Sequence, residues 1–263
     1  MTADRRRDED DARHSLRDLY EQGDITWETR PEAIEARASV LRERIGGVRR
    51  PVIVDLGCGP GDHTVGLRPH LPDAFLVGID WAQRAMLAAA DVGLPGVRAD
   101  LDPASLPFAD ESLDAVLLCE VIEHLVDPDT VTAEAFRVLK PGGVFLVTTP
   151  NLAAWFNRLL LLGGVQPAFS EVSAKAVYGR PGTEVVGHLR LFTPRALREF
   201  LRGAGFVDVS LRGLPYHDVP APARPLDRFL ARRAPALSAD LVAAATKPLA
   251  TVRPTQIPAG AHG

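Results

Sequence analysis

Short apolar runs alternate along the chain with longer segments in which apolar residues recur every three or four positions. VIVDL at 52–56 and FLVGID at 75–80 are short runs of the kind that form buried parallel strands. Residues 31–45 and 131–140 have the spacing of amphipathic helices. Three further strands are predicted at residues 97–100, 113–120 and 144–149. The alternation predicts an α/β fold with a Rossmann-like, doubly wound, mostly parallel sheet.

This pattern is interrupted after Pro150 and resumes near Thr193. Residues 151–192 contain the apolar segment LAAWFNRLLLL, then glycines and little periodicity. A connection of this length inside a compact domain is usually functional. A helix that Thr193 caps, followed by strands at 207–213 and 239–246, brings the predicted sheet to seven strands.

Composition narrows the class of protein. The chain has 263 residues, of which 46% are hydrophobic and 24% charged, as in ordinary globular proteins. Its apolar runs are shorter than the ~20 residues of a membrane span. The two cysteines, Cys58 and Cys119, are too few for a disulfide scaffold or a cysteine-rich zinc site. We expect a cytoplasmic protein, either a monomer or a homodimer.

Charge is unevenly distributed along the chain. Residues 51–150 hold 5 basic and 15 acidic residues, whereas residues 151–263 hold 14 and 7. An acidic main segment disfavours nucleic acid as a partner and suits a ligand that carries a positive charge. The basic last third is compatible with an anionic substrate. Attraction between the two oppositely charged segments is an equally simple explanation for the uneven charge.

A glycine-rich loop follows the first predicted strand, in the sequence VDLGCGPGD at 54–62. Gly57 and Gly59 fit the dinucleotide fingerprint, but its third glycine falls on Asp62. A P-loop would need a lysine, and the first half of the chain contains none. Asp55 and Asp62 would repel a pyrophosphate, so the loop favours a ligand with an ammonium and a sulfonium group.

The loop resembles motif I of the class I S-adenosylmethionine (SAM)-dependent methyltransferases. The resemblance continues in order through VGID, RADLDPASLPFADESLDAVLLCEVIEHL and EAFRVLKPGGVFLVTTPN. HLRLFTPRALREFLRGAGF is similar to a later segment of the small-molecule branch called type 11. The resemblance covers residues 50–150 and 188–213 and implies SAM as the cofactor. It also implies one domain over residues 1–248, with an N-terminal helical lid at 1–50 and a substrate cap at 151–192. The residues after Pro248 lack any pattern of their own and predict a flexible tail at 249–263.

The resemblance further implies which residues bind SAM. Asp80 is placed where the family binds the ribose hydroxyls, and Asp100 and Leu101 where it contacts the adenine. Glu120 ends the fourth strand beside the methionine part. Trp81 is a candidate to pack against the adenine or to belong to the core, and Asp80 and Asp100 have helix or loop capping as their alternative. The loop adds Asp55, Gly57, Cys58 and Gly59.

Two histidines are the candidate catalytic residues. His188 ends the insert, which in this fold lies above the carboxyl ends of the strands, where it can take a proton from an alcohol or amine. His124, within EVIEHL at 120–125, can reach a substrate from the end of the fourth strand. The structural alternatives are that His188 anchors a loop and that His124 packs within the fold. The spacing matches neither H-E-x-x-H nor H-x-x-E-H, so no metal site is predicted.

The candidate substrate-binding residues are Tyr20, Trp27, Asn151, Trp155 and Arg190. Tyr20 and Trp27 precede the first helix, in the segment that often closes over SAM in the family, and packing onto the sheet is their alternative. Arg190 is placed to hold an acidic acceptor or to pair with a helix acid. Trp155 is predicted to line an apolar acceptor pocket together with Phe156, Phe169 and Tyr178. The run LLLLGG beside them is a candidate for buried core or for a dimer face instead.

These features predict methyl transfer from SAM to an oxygen or nitrogen of a small, partly apolar molecule such as a natural product. The sequence Thr-Pro-Asn at 149–151 stands where enzymes acting on bases or amides have Asn-Pro-Pro-Tyr, which disfavours nucleic-acid and glutamine methylation. Arginine outnumbers lysine 27 to 3, which suggests a GC-rich bacterial genome, where tailoring enzymes of secondary metabolism are common. The alternatives are a non-catalytic SAM-binding or regulatory protein, methylation of a carbon, and a nicotinamide dehydrogenase.

Overall fold

The structure is a computed structural model that describes residues 30–102, 105–173, 175–216 and 219–249. Its centre is a sheet whose strands alternate with helices along the chain. The strands are β1 (Val52–Leu56), β2 (Phe75–Asp80), β3 (Gly96–Arg98), β4 (Leu113–Cys119), β5 (Leu139–Pro150), β6 (Val207–Leu214) and β7 (Asp240–Thr246).

The strand order is β3-β2-β1-β4-β5-β7-β6. Strands β1 to β5 pair in parallel, and β7 runs antiparallel between β5 and β6. The predicted seven-stranded, mostly parallel Rossmann-like sheet is therefore confirmed. The order reverses between β1 and β4, and ligands of such sheets bind beyond the carboxyl ends of the strands at this point.

Helices cover both faces of the sheet, because the residues of each buried strand are apolar on both sides. They are α1 (Pro31–Ile45), α2 (Asp62–Val65), α3 (Gln83–Asp91), α4 (Pro128–Val138), α5 (Trp155–Leu162), α6 (Pro194–Gly203) and α7 (Arg224–Arg233). Leu41 of α1 packs with Ile53 in one core cluster, and Val131 of α4 and Leu197 of α6 pack with Val54 in the other. Successive residues of β1 thus serve opposite faces.

Local capping explains where two helices begin. Thr193 accepts a hydrogen bond from the Ala196 amide, as predicted for the helix after the insert. Asp127 accepts one from the Thr130 amide. Because of this cap, α4 begins at Pro128, earlier than the predicted residue 131.

The third strand lies at residues 96–98, whereas the sequence predicted 97–100. The glycine loop leads into the short α2, which is followed by turns. In the described part of the insert α5 is the only helix, and residues 163–173 and 175–192 are irregular except for an isolated bridge at Phe192. Among the described residues, no helix combines the length and the apolar character needed to cross a membrane.

Candidate functional site

The glycine loop turns sharply at the carboxyl end of β1. Gly57, Gly59 and Gly61 have φ of +76°, +54° and +87°, values that favour glycine. A side chain at Gly57 would place its Cβ 2.4 Å from Cγ2 of Val121. The Gly57 amide donates to the carbonyl of Ile79, which fixes the loop against β2. The loop therefore presents backbone rather than side chains at the switch point of the sheet.

Asp80 joins this loop to the next helix. Its buried carboxylate accepts hydrogen bonds from the Gly59 amide and the Ala82 amide, each at 2.9 Å. The capping alternative for Asp80 is thus part of its structural role. A carboxylate offers about four acceptor positions, so holding the loop is compatible with binding hydroxyl groups.

Two of the predicted cofactor residues direct their side chains into the core. The Cys58 thiol lies over Gly78, where a Cβ would come within 2.5 Å of its sulfur. Burial raises the pKa of Cys58, which leaves the thiol neutral. The Leu101 side chain belongs to the core cluster beside β4. Only the backbone of these two residues can contact a ligand in the crevice.

Two other predicted residues lie near the surface beyond β2 and β3. Trp81 is half-buried, and its carbonyl accepts a hydrogen bond from Nε of Arg98 at 2.8 Å. Asp100 is exposed, and its Oδ1 accepts from the Asp102 amide at 3.0 Å. Both residues are thus on the side of the crevice where Asp80 lies.

A buried pair of opposite charge lies behind the glycine loop. Oδ2 of Asp55 accepts a hydrogen bond from Thr64 at 2.5 Å, but its Oδ1 has no partner among the described residues. Burial raises the pKa of Asp55, and the charge of Arg37 opposes this shift. Arg37 donates from Nη2 to Oγ1 of Thr148 at 3.3 Å, and its buried Nε has no described partner. A buried acceptor and a buried donor are what the ammonium and carboxylate of an amino acid require.

Arg37 was missed by the sequence analysis. It is 4% exposed and lies on the face of α1 that also carries Ile34, Ala38 and Leu41. An arginine within the apolar stripe of a helix is the signal that could have identified it, since buried charges are usually paired.

Glu120 follows β4 with φ of +57°, an uncommon backbone conformation for a residue with a side chain. Its Oε1 accepts a hydrogen bond from Oγ1 of Thr148 at 2.6 Å, the same hydroxyl that Arg37 contacts. Local strain of this kind is concentrated at functional sites. The turn places a carboxylate beside the Arg37 guanidinium at the carboxyl ends of β4 and β5.

Glu123, His124 and His188 lie together next to this turn. Each of the three side chains offers one nitrogen or oxygen atom that could bind a metal ion, and these three atoms all lie within 4.8 Å of one another. The centroids of the two imidazole rings are 4.8 Å apart. Nδ1 of His124 contacts the Gly187 carbonyl at 3.0 Å, and Nδ1 of His188 contacts the Phe169 carbonyl at 2.8 Å. The two predicted catalytic histidines are therefore neighbours, although they are 64 positions apart in sequence.

The environment sets the protonation of this group. Burial, aided by the neighbouring His188, lowers the pKa of His124 to about 3. Burial also lowers the pKa of His188. Burial and the negative charge of Glu120 raise the pKa of Glu123. Both imidazoles are therefore neutral at pH 7.

Glu171 fixes the segment that carries His188. Its buried carboxylate accepts hydrogen bonds from the amides of Val186, Gly187 and His188 at 2.8, 2.8 and 3.0 Å. It also pairs with Arg180 at 2.9 Å, and both side chains are more than nine-tenths buried. No motif marks Glu171 in the sequence, because its role depends on a loop that the periodicity does not describe.

An aromatic cluster lies beside the histidines. Phe169 and Tyr216 meet edge to face with centroids 5.3 Å apart, and Phe156 packs 5.7 Å from both Tyr216 and Trp155. Nε1 of Trp155 donates to the buried Asp227 at 2.8 Å. The cluster borders a cavity of about 200 Å³ that Tyr216 and Asp227 help to line.

Two predicted pocket residues do not belong to this cluster. Tyr178 is 62% exposed and its place is taken by Tyr216, which the sequence analysis missed. Asn151 is fully buried: its amide group donates to the carbonyls of Ala236 and Ser238, and its Oδ1 accepts from a neighbouring amide. The structure thus corrects the expected substrate role of Asn151 to that of a loop clamp.

Arg190 also has a structural role in place of the expected one. Its guanidinium donates to the carbonyls of Leu125 and Val126. The hydrogen bond from Thr130 lowers the pKa of Asp127, the acid that caps α4, and the charge of Arg190 adds to this effect. Arg190 therefore holds the turn after β4 in place. Tyr20 and Trp27, the remaining candidates, lie outside the described residues.

Comparison with known proteins identifies relatives of the sheet and loop region. The Methyltransferase domain family of type 11 matches residues 54–147. A trans-aconitate 2-methyltransferase of Methylobacterium radiotolerans is 32% identical over 166 residues, which are 62% of this chain and 60% of that protein. A ubiquinone/menaquinone biosynthesis C-methyltransferase of Desulfotalea psychrophila is 34% identical over 170 residues, 61% of this chain and 67% of that protein. The chain thus spans about two thirds or less of the length of these relatives.

Solved structures agree with the fold. A SAM-dependent methyltransferase of Thermotoga maritima superimposes with a TM-score of 0.55 at 20% sequence identity. The match covers 81% of this chain and 90% of that one. At this identity the comparison supports the architecture and leaves the acceptor open.

Proposed function

Because the chain belongs to the class I SAM-dependent methyltransferases, we propose that it transfers the methyl group of SAM to a small-molecule acceptor. The observation that carries this proposal is the glycine loop at the switch point, held by the buried carboxylate of Asp80. Acidic groups surround the loop and favour a cationic cofactor over a pyrophosphate.

The nucleoside end of SAM is proposed to bind beyond β2 and β3. Asp80 accepts hydrogen bonds from the ribose hydroxyls. Its buried position next to the Gly59 amide supports this role. Asp100 and the backbone of Leu101 contact the adenine, and Trp81 packs against its face. The backbone of the loop approaches the cofactor closely, because Gly57 and Gly59 carry no side chain.

The amino acid end of SAM is proposed to bind between α1 and the turn after β4. Arg37 holds the carboxylate, and Asp55 and Glu120 face the ammonium group. The unpartnered Nε of Arg37 and Oδ1 of Asp55 support this arrangement, since each buried atom lacks a described hydrogen-bond partner. SAM supplies an electrophilic methyl group on a sulfonium, and the carboxylates nearby favour that positive charge.

The acceptor is proposed to bind between the aromatic cluster and the histidine pair. Phe156, Phe169 and Tyr216 offer flat apolar surface to an acceptor with a ring or other apolar part. His124 and His188 bind its polar end. Their lowered pKa means that each ring holds an abstracted proton weakly, so we assign them to binding in place of the expected general-base role.

Methyl transfer is then mainly a matter of alignment. Holding acceptor and methyl group in line can lower the barrier by roughly 7–11 kcal/mol. Oxygen or nitrogen is the proposed acceptor atom, because polar side chains face the acceptor. The quinone-related C-methyltransferase among the relatives keeps methylation of a carbon as the second candidate.

Calorimetric titration with SAM, S-adenosylhomocysteine and NAD tests the cofactor. We expect the first two to bind and NAD not to bind. In Asp80→Ala and Asp80→Asn the affinity for SAM falls at least about tenfold, since a hydrogen bond to a charged group is worth roughly 1.5–3 kcal/mol. Asp73→Ala, an exposed aspartate before β2, is the matched control and leaves the affinity unchanged.

Transfer of a labelled methyl group to a panel of aromatic alcohols, amines, quinols and small carboxylic acids then tests catalysis. Product formation that depends on the protein supports the proposal and identifies the acceptor atom. Binding of NAD in place of SAM would overturn it. Tight SAM binding with no transfer to any member of the panel would favour a non-catalytic SAM-binding protein.

A further inference from the structure

The cluster of Glu123, His124 and His188 has the composition of a metal site. Two imidazoles and one carboxylate come from two separate segments, the turn after β4 and the end of the insert. Their ligand-type atoms lie within 4.8 Å of one another. The sequence does not show this set, because motifs such as H-E-x-x-H depend on one helix, whereas these side chains meet only in the folded chain.

The tautomer of each histidine is fixed by its neighbour. A backbone carbonyl has no proton to give, so Nδ1 of His124 donates to Gly187 and Nδ1 of His188 donates to Phe169. The proton therefore resides on Nδ1, and the lone pair of each neutral ring is on Nε2. Histidines that bind metals show this same pattern, in which the second nitrogen donates to a carbonyl or carboxylate.

Glu123 supplies the second observation. It is fully buried, and its Oε2 accepts a hydrogen bond from Oγ1 of Thr149 at 3.0 Å. Its Oε1 is buried with no hydrogen-bond partner among the described residues. The neighbouring residues Glu120 and Asp240 are acidic as well and bring no positive charge to it. A cation would compensate a buried carboxylate that the described protein groups leave only half satisfied.

We propose that Glu123, His124 and His188 bind a divalent transition-metal ion of the zinc, iron or cobalt type. Two imidazoles favour these ions over Mg²⁺ and Ca²⁺, which prefer oxygen ligands. Around Zn²⁺, ligands at 2.0–2.1 Å would be about 3.3 Å apart in a tetrahedron, so the three side chains close inward on binding. Three protein ligands leave at least one coordination position for water or for an acceptor group.

The site does not depend on the proposed methyl transfer. Phe169, whose carbonyl orients His188, belongs to the aromatic cluster, so the metal would lie at the border of the proposed acceptor pocket. Binding of the metal can be read without SAM or acceptor. Failure of the methyltransferase proposal and failure of this one are therefore distinguishable.

Titration with Co²⁺ tests the site in the full-length protein, free of tags and of bound metal. We expect one equivalent of Co²⁺ to bind with visible d–d absorption, Zn²⁺ to displace it, and Mg²⁺ to leave it bound. In His188→Ala and in Glu123→Gln the affinity for Co²⁺ falls at least about 100-fold, since loss of a second-shell group alone costs 10–100-fold. Circular dichroism confirms that each variant is folded.

His70→Ala is the matched control, because His70 pairs with Glu35 at the surface of the protein away from the cluster. We expect its Co²⁺ spectrum to equal that of the parent. Absence of stoichiometric Co²⁺ binding in the parent would overturn the proposal. So would binding that folded His188→Ala and Glu123→Gln retain at the parent affinity.

Discussion

Replacement of Glu171 by glutamine tests how the insert positions His188. The carboxylate makes four hydrogen bonds, to the amides of Val186, Gly187 and His188 and to the guanidinium of Arg180. In Glu171→Gln one carboxylate oxygen becomes the NH2 of a side-chain amide. This group is itself a donor and cannot accept the hydrogen bonds that point at it. Two of the four bonds are then lost whichever way the amide turns.

The magnitude follows from the charge and burial of the pair. Each hydrogen bond to a charged group is worth roughly 1.5–3 kcal/mol, so the loss of two is about 3–6 kcal/mol. Removal of one partner from a buried ion pair typically costs about 3–5 kcal/mol, which agrees with the sum over the two hydrogen bonds. Arg180 and Glu171 are both buried, so little solvent screening applies. We therefore expect local opening of residues 184–190 to become at least about 100-fold more frequent.

Hydrogen exchange followed by mass spectrometry measures this opening directly. Peptides that contain the amides of Gly187 and His188 exchange faster in Glu171→Gln, while peptides of β4 exchange as in the parent. Glu199→Gln removes an exposed pair with Arg195, which solvent screens, and is the matched control. An increase below about tenfold at 184–190, or equal loosening of β4, would refute the argument that Glu171 is the local clamp.

Three further predictions concern the loop, the buried acids and the thiols. Gly57→Ala should lose at least about 1–2 kcal/mol of unfolding free energy from its left-handed φ alone, and it should bind SAM more weakly. Gly47→Ala, whose Cβ meets open space, should change neither the stability nor the SAM affinity. Urea unfolding and SAM titration measure the two quantities. Burial and neighbouring charge raise the pKa of Asp240 to about 7, so the native state keeps a proton that the unfolded chain loses near its usual 3.8. Unfolding free energy therefore falls as pH rises between these values, and urea titrations across this interval should show a smaller fall in Asp240→Asn. Burial raises the pKa of Cys58 and raises that of Cys119 to about 12, so Ellman's reagent at pH 8 should detect both thiols only after denaturation.

The cofactor half of the molecule was largely predictable because its determinants are local in sequence. Continuous apolar runs identify β1, β2, β4 and β5, since strands buried on both faces cannot alternate with polar residues. The loop that begins at Gly57 is similarly determined by neighbouring residues, through positive φ and contact with the next strand. The bounds of α4 were less accurate, because the cap at Asp127 and Pro128 precedes the apolar stripe.

The half that we propose to bind the acceptor was less predictable because its contacts join distant segments. Asn151 and Arg190 are polar residues at positions typical of a pocket. Their side chains instead donate to backbone carbonyls whose positions the periodicity does not predict. Tyr216 joins the aromatic cluster from beyond β6, whereas Tyr178, within the insert, does not. Residue type predicted aromatic and histidine side chains for this region, and only the fold determined which of them meet.

The same contrast has a consequence for how the two halves respond to mutation. The loop at Gly57 is held by the sheet itself, through hydrogen bonds to Ile79 and the packing of Val121. The segment that leads to His188 is instead held through one carboxylate, Glu171, whose bonds make no contact with the glycine loop among the described residues. A change at Glu171 should therefore weaken acceptor or metal binding while leaving SAM affinity intact. Equal loss of both in a folded Glu171→Gln protein would show that the two sites are coupled through the sheet.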